Sequence, residues 1–433
     1  MPESRRRWTI MVFMAGDNGK LFDSPGGKRL LLTPMERAGR GDLAEMESVG
    51  SNDDVAVLAQ FDTLSGDGGC SRIFVRPGGA ESQVEPIAEQ NTGDPCSLRD
   101  FIVWGVRRCP ADRYAVVLWN HGAGWKDDDI YAFARRGSVD VKAGQSELRS
   151  AGEGGRLASA LFLTSALRVV GLESADDRAI CYDDSSMDFL DNVELQRAFR
   201  EAQAQTGRTI DLIGMDACLM SMVEVVYQLR DHAQCVVASQ EVEPLAGWPY
   251  AEILRGLARD PAIGPGELAQ LIVRAYVRSL DDGTRGGGMR VTQSAIRVAG
   301  IEPLARAIGE VAAALTRLRA DDDLYARRAF DRASQRALRF ADADYVDLYD
   351  FLSILRDEYD GRDAGLQGGL ERALGLLDAQ GEQALIAANA VAGDRLERAR
   401  GLSIYLPQGG CSQFYATLDF AAHGWGELIS LKS

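Results

Sequence analysis

The chain has 433 residues, 46% of them hydrophobic and 26% charged, with a net charge of −16 at pH 7. That length buries a large core and excludes a small stapled scaffold, while the acidic balance argues against nucleic acid or anionic membrane as partners and suits a cationic substrate. The seven cysteines (Cys70, Cys96, Cys109, Cys181, Cys218, Cys235, Cys411) are odd in number and lack CxxC pairing, so neither a zinc site nor a disulfide framework is expected and a reducing cytoplasm is the expected setting.

The chain opens on "MPESRRRWTIMVFMAGDNG", whose charges precede an apolar stretch that is short and has no small-residue cleavage site. Neither a signal peptide nor a membrane span is predicted. Near-continuous apolar runs predict buried parallel strands over Thr9–Met14, Val55–Phe61, Tyr114–Trp119, Ile210–Met215 and Cys235–Ser239. Between them, "SLRDFIVWGVRR" and "LDNVELQRAFREAQ" have helical spacing, and Asp191 with Glu194 predicts a capping box. Residues 126–178, rich in charge, Gly and Ser before a short apolar patch, predict a long exposed insertion. Beyond residue 300, "IEPLARAIGEVAAALTRLRA" and "YVDLYDFLSILRDEY" predict amphipathic helices, and "GLSIYLP" a late strand able to return to the sheet. The expected class is α/β, a mostly parallel sheet flanked by helices over 1–300, followed by a helical C-terminal subdomain over 301–433.

Three histidines make the search for a general base exhaustive. His232 and His423 sit in contexts that a surface or end-of-helix role explains. His121 follows "YAVVLWN" and precedes "GAGW", which places it at the C-terminal edge of a buried strand, where ligands collect in open α/β sheets. Cys218 follows the strand "IDLIGM" in the same way, with Leu219, Met222, Val223, Val226 and Leu229 predicting one face of a helix that starts at the thiol. A helix N-terminus there would stabilise the thiolate, and a nearby imidazole would shuttle its proton. Asp216 has two readings, a pocket acid or a helix N-cap.

"WTIMVFMAGDN", "YAVVLWNHGAGW", "AICYDDSSMDFLDNVEL", "IDLIGMDACLMSMVEVVYQL", "VVASQEVEPLAGWPY" and "GLSIYLP" occur in this order across nearly the whole chain. Together they resemble the clostripain family of cysteine peptidases, relatives of caspases, gingipains and legumains. The resemblance implies a caspase-like fold, Cys218 as nucleophile, His121 as its acid/base partner, and the N–H groups of Gly122 and Cys218 as oxyanion donors. It also implies that Asp216 lines a pocket for Arg or Lys; because "LAGW" lacks an acid that family members often carry there, either Glu241 or Glu243 assists Asp216 or the basic specificity is weakened. Protein or peptide substrates with a basic residue before the cleaved bond are therefore expected. Self-processing is expected in the loop after His121, with Arg135 and Arg136 the first choice and Lys142, Arg149 and Arg156 further along. No obligatory cofactor is implied; calcium serves some relatives, and "KDDDI", "CYDD" and "ADDDL" offer oxygens without EF-hand spacing. The competing readings are a caspase-like regulatory or binding module and a thiol transpeptidase or ligase.

Overall fold

The computed structural model describes residues 5–17, 34–64, 69–78, 80–120, 180–183, 186, 188–281, 290–359 and 363–431. The insertion expected over 126–178 lies outside the described residues. The strands are β1 (Arg6–Ala15), β2 (Val55–Thr63), β3 (Gly69–Phe74), β4 (Gln83–Ile87), β5 (Ala111–Trp119), β6 (Ile180–Asp183), β7 (Asp188–Leu190), β8 (Ile210–Asp216), β9 (Ala233–Ala238), β10 (Val291–Arg297), β11 (Tyr345–Asp347), β12 (Ile386–Ala392) and β13 (Ser403–Tyr405). The helices are α1 (Pro34–Val49), α2 (Pro95–Arg108), α3 (Asn192–Thr206), α4 (Val223–Gln228), α5 (Tyr250–Arg259), α6 (Pro265–Asp281), α7 (Ile301–Ala320), α8 (Leu324–Arg336), α9 (Leu348–Glu358), α10 (Ala364–Asp378) and α11 (Trp425–Ser430).

Nine strands form one sheet in the order β12-β10-β9-β8-β5-β1-β2-β3-β4. The five predicted strands are its parallel centre, β2-β1-β5-β8-β9. Antiparallel strands flank them on both sides. Alternation along β1 explains why both faces need cover. Met11 and Phe13 join a core with Phe101 of α2, Phe199 of α3, Ile308 of α7 and Phe351 of α9. Ile10, Val12 and Met14 join the opposite core with Met46 of α1, Leu254 of α5 and Ile272 of α6. Each such side chain withdrawn from water contributes roughly 1.5–3 kcal/mol, which is why the strands read as unbroken apolar runs. Helix α3 begins where predicted, because the Asp191 carboxylate accepts from the Glu194 N–H while the Glu194 side chain accepts from the Asp191 N–H.

The C-terminal region does return a strand to the sheet, but it is β12, antiparallel to β10. "GLSIYLP" supplies β13 instead, which pairs with β11 in a separate two-stranded sheet. The core under β1 includes residues on both sides of position 300. Glu224 on α4 helps join the two sides: its Oε1 accepts from the Tyr405 N–H at 3.0 Å and the Tyr415 hydroxyl at 3.1 Å. Burial pushes its carboxyl pKa up to about 7. A carboxyl whose pKa is higher folded than unfolded contributes stability that is present at low pH and lost as pH rises through the folded value. Between about pH 4.5 and 7 this group therefore costs the native state on the order of 3 kcal/mol. Glu224→Gln is expected to flatten that part of the slope; urea unfolding between pH 5 and 8 checks it, and an unchanged slope would contradict the assignment.

Candidate active site

Strand β8 ends at Asp216, and the chain does not enter a helix there. Cys218 and Leu219 form a turn, Met222 bridges to Ser403, and α4 begins only at Val223. Leu219 takes φ +61°, the left-handed region that a leucine adopts only at a cost, and its N–H donates to the Glu241 carbonyl at 3.2 Å. The expectation of a helix starting at the thiol is thus corrected. The donor at Cys218 is a loop amide: the Glu243 N–H donates to Sγ at 3.2 Å. An amide pointed at sulfur favours the thiolate, since hydrogen bonding to the charged form stabilises it, while the Glu243 carbonyl, 3.8 Å from Sγ, accepts from the thiol and favours the protonated form.

Asp216 is buried and is not a helix cap. Its Oδ2 accepts from the Trp248 N–H at 3.1 Å and the Tyr250 hydroxyl at 2.9 Å. Asp42 of α1, which no motif singles out, accepts from the Trp119 indole at 2.8 Å. Gly247 separates the two acids. It has φ +56°, and a Cβ on it would lie 3.0 Å from Asp42 Oδ2 and 3.2 Å from Asp216 Oδ2. Only a residue without a side chain lets both carboxylates approach this backbone. Burial, then the Asp216 and Asp42 carboxylates, raises the Tyr250 pKa well above its usual value, so the phenol stays a donor.

Glu243 completes the group. It is 2% exposed, its Oε1 accepts from Gln293 Nε2 at 3.1 Å, and its carboxyl also interacts with the Asp216 carboxylate and the Trp248 indole. Burial first, then the neighbouring Asp216 carboxylate, pushes its pKa well up. Two acids packed this way titrate as a pair that holds a proton in place of a cation. Glu241 is committed elsewhere: its Oε2 pairs with Arg290 at 3.0 Å, and its Oε1 accepts from the N–H groups of Val242 and Ala341, each at 3.0 Å. Of the two glutamates the sequence left open, Glu243 faces Asp216.

His121, Gly122, Arg135, Arg136, Lys142, Arg149 and Arg156 lie outside the described residues. Asn120, which precedes His121 in the chain, is held at the sheet's edge: its N–H donates to the Asp216 carbonyl at 3.3 Å and its side chain donates to the Ala15 carbonyl. The other histidines have local partners. His232 is buried against Gln203 at 3.2 Å just beyond the end of α4, which removes the surface reading and leaves the helix-end one, and His423 Nε2 lies 2.9 Å from the Tyr227 hydroxyl. Burial is the first cause raising the thiol pKa at Cys70, Cys96, Cys181, Cys235 and Cys411, to about 11 at Cys235, which favours the protonated thiol at each. "KDDDI" lies outside the described residues, and in "ADDDL" Asp323 caps α8, accepting from the N–H groups of Tyr325 and Ala326.

The model of the clostripain family matches residues 35–151 and 169–426. The chain belongs to the clostripain family. Clostripain from Hathewaya histolytica is 27% identical over 171 residues, which cover 38% of this chain and 24% of that protein, so the match spans about a quarter of that relative's length. Among solved structures, a secreted C11 cysteine protease from Bacteroides thetaiotaomicron in complex with an irreversible peptide inhibitor superposes with a TM-score of 0.61 at 17% identity, covering 97% of this chain and 99% of that one. An inactive zymogen C11 protease from Parabacteroides distasonis gives 0.58 at 17% identity over 98% and 99%. At these identities the likeness is one of fold. It is the α/β architecture with a large, mostly parallel central sheet that the clostripain motifs implied.

Proposed function

We propose that this clostripain-family chain is a cysteine endopeptidase that cuts peptide bonds after Arg or Lys, with Cys218 as nucleophile and His121 as general acid/base. The Cys218 thiolate attacks the scissile carbonyl, and the N–H groups of Cys218 and Gly122 hold the developing oxyanion. His121 gives a proton to the departing amine, leaving a thioester on Cys218. It then takes a proton from water, whose oxygen attacks the thioester and expels the Cys218 thiolate, releasing the acid and restoring the thiolate–imidazolium pair. Asp216 and Glu243 bind the cationic side chain, which replaces the proton they share. One observation carries the reading: a single residue, Glu243, gives its N–H to the thiol and its carboxyl to the acid pair, so nucleophile and basic-residue pocket are one construction. Cleavage at Arg135 or Arg136 by the chain's own activity belongs to the same proposal.

The test is hydrolysis of matched reporter peptides carrying Arg, Lys, Gln or Leu before the bond, with product masses recorded in the presence and absence of an added amine. Release from the Arg and Lys peptides as free acids is expected. Equal turnover of the Gln peptide would remove the pocket assignment, and amine adducts as the main product would make the chain a transpeptidase. Gly247→Ala is expected to lower kcat/KM for the Arg peptide at least about tenfold, since displacing binding groups by as little as 1 Å is costly, with a smaller change for the Leu peptide. Parallel losses on both peptides would show that Gly247 serves the fold alone.

A further inference from the structure

We propose that the hollow between β3, α2 and α3 is a binding site for a small organic polyanion, a phosphate ester or a polycarboxylate, held by Arg72, Arg107 and Arg108 beside Trp104. The inference stands apart from the peptidase reading. The hollow has a volume of about 560 Å³, and its walls carry those three guanidinium groups together with the apolar surface of Val103 and Trp104. That size suits a small molecule, and an apolar wall with a few convergent polar groups is the usual build of a ligand site. Three like charges in one hollow repel one another, and in a chain of net charge −16 no general excess of cations explains their meeting there.

Carboxylates do not neutralise the three. Asp100 lines the same hollow but is given to Arg99, whose Nε donates to its Oδ1 at 2.8 Å. Glu85 stands opposite Arg72 across the β3–β4 ladder, yet Arg72 forms no ion pair among the described residues. Elsewhere Arg230, Arg317 and Arg398 close on carboxylates at 2.7, 2.8 and 2.8 Å. Arg107, exposed at the end of α2, has neither an ion pair nor a side-chain hydrogen bond among the described residues.

Neutral partners hold the other two in place. Arg72 Nε donates at 2.9 Å to Oε1 of Gln60, a buried side chain on β2, and its guanidinium lies over the Trp104 ring, 5.3 Å from the centroid. Its Nη1 and Nη2, the fork that meets two oxygens of a carboxylate or phosphate, make no hydrogen bond among the described residues. Burial lowers the Arg72 pKa from the usual arginine range, the mark of a cation partly stripped of water, which a bound anion offsets. Arg108 donates from Nη2 to Gln83 Oε1 at 2.9 Å and lies 5.5 Å from the Phe74 centroid. Amide and aromatic partners orient an arginine without discharging it, so these charges are set in advance for a ligand.

The hollow is remote from the thiol. Thr9, near the start of β1, donates to the Cys109 carbonyl at 2.7 Å. The end of α2 that carries Arg107 and Arg108 therefore lies at the N-terminal edge of the parallel strands, opposite the edge where β8 ends at Asp216. A ligand here does not compete with a peptide at Cys218.

The experiment titrates the full chain calorimetrically with sodium pyrophosphate, with citrate and with a short polyglutamate peptide at constant ionic strength, and melts it with and without each. Saturable binding of one pyrophosphate or one citrate per chain below millimolar concentration, with a rise in Tm, is expected. Pyrophosphate alone would assign the phosphate ester, and citrate alone the polycarboxylate. Arg107→Gln is expected to weaken that binding at least about tenfold, the scale of a lost charge-assisted hydrogen bond, and to leave the ligand-free Tm unchanged. Arg72→Lys, which keeps the charge and loses the fork, should also bind more weakly. Arg259→Gln, on α5 against the opposite face of the sheet, should bind as wild type. No saturable binding of either small anion, or Arg107→Gln binding as tightly as wild type, would overturn the site. Equal weakening in Arg259→Gln would reduce the effect to overall charge, and preference for polyglutamate over both small anions would overturn the small ligand in favour of an acidic peptide. None of these readouts needs peptidase activity, so failure here and failure of the peptidase reading are separable.

Discussion

Cys218→Ala is expected to lower hydrolysis of an Arg reporter peptide by at least about 10⁴-fold, the scale on which loss of a covalent nucleophile is felt. The loss should fall in kcat, because the acid pair that binds the substrate is untouched. Burial raises the thiol pKa of Cys70, Cys96, Cys181, Cys235 and Cys411, Cys109 is buried, and Cys235 is enclosed within β9. Cys218→Ser should be nearly as inactive, although its hydroxyl can still accept the Glu243 N–H, because an alkoxide is far harder to generate than a thiolate. Both variants should fold, since the residue is small and the turn around it is held by the backbone contacts of Leu219 and Ser221 to Glu241 and Ser239. Any self-cleavage should vanish with the activity. A variant that cuts its own chain or the reporter at the wild-type rate would remove Cys218 from the chemistry.

Asp216→Asn is the second large effect, expected as a fall of about 10²–10³ in kcat/KM for Arg and Lys peptides and little change for a Leu peptide. Truncating one side of a buried, hydrogen-bonded charge pair costs roughly 2–5 kcal/mol, which is this range. The asparagine oxygen can still accept from the Trp248 N–H and the Tyr250 hydroxyl, so the wall of the pocket should survive. Glu243→Gln should act differently. Burial and Asp216 hold the Glu243 carboxyl protonated above its usual range, and a cationic side chain binds the ionised form better. The KM for Arg peptides should therefore fall as pH rises and Glu243 gives up its proton, and Glu243→Gln should remove that dependence. An Arg-to-Leu preference within about threefold of wild type in Asp216→Asn would reduce Asp216 to scaffold.

The sequence made the five central strands legible because strands buried on both faces have no polar alternation to blur them. Asp191 and Glu194 were legible because a capping box is a local exchange of hydrogen bonds. Strand β12 was not, since "IAANAVA" is built from small residues of weak strand preference at a half-buried edge. Around the thiol, apolar spacing misled: Leu219 and Met222 are buried, yet the first is in a left-handed turn and the second in a bridge to Ser403. No glycine marks that turn, so nothing local announces it. The role of Asp216 and the choice between Glu241 and Glu243 turn on tertiary partners, Trp248 and Tyr250 for the first and Arg290 for Glu241, that spacing alone does not reveal. Asp42 was invisible for the same reason, being one acid among many on α1 until Gly247 brings it beside Asp216.

The most direct test of the central claim is to treat the chain with an electrophilic peptide ending in Arg, digest it, and locate the adduct by mass. Attachment to Cys218 at one equivalent, blocked by excess Arg peptide and absent with a Leu-terminated probe, is the expected result. Attachment to another cysteine, or equal labelling by both probes, would contradict a Cys218 nucleophile served by an acidic pocket.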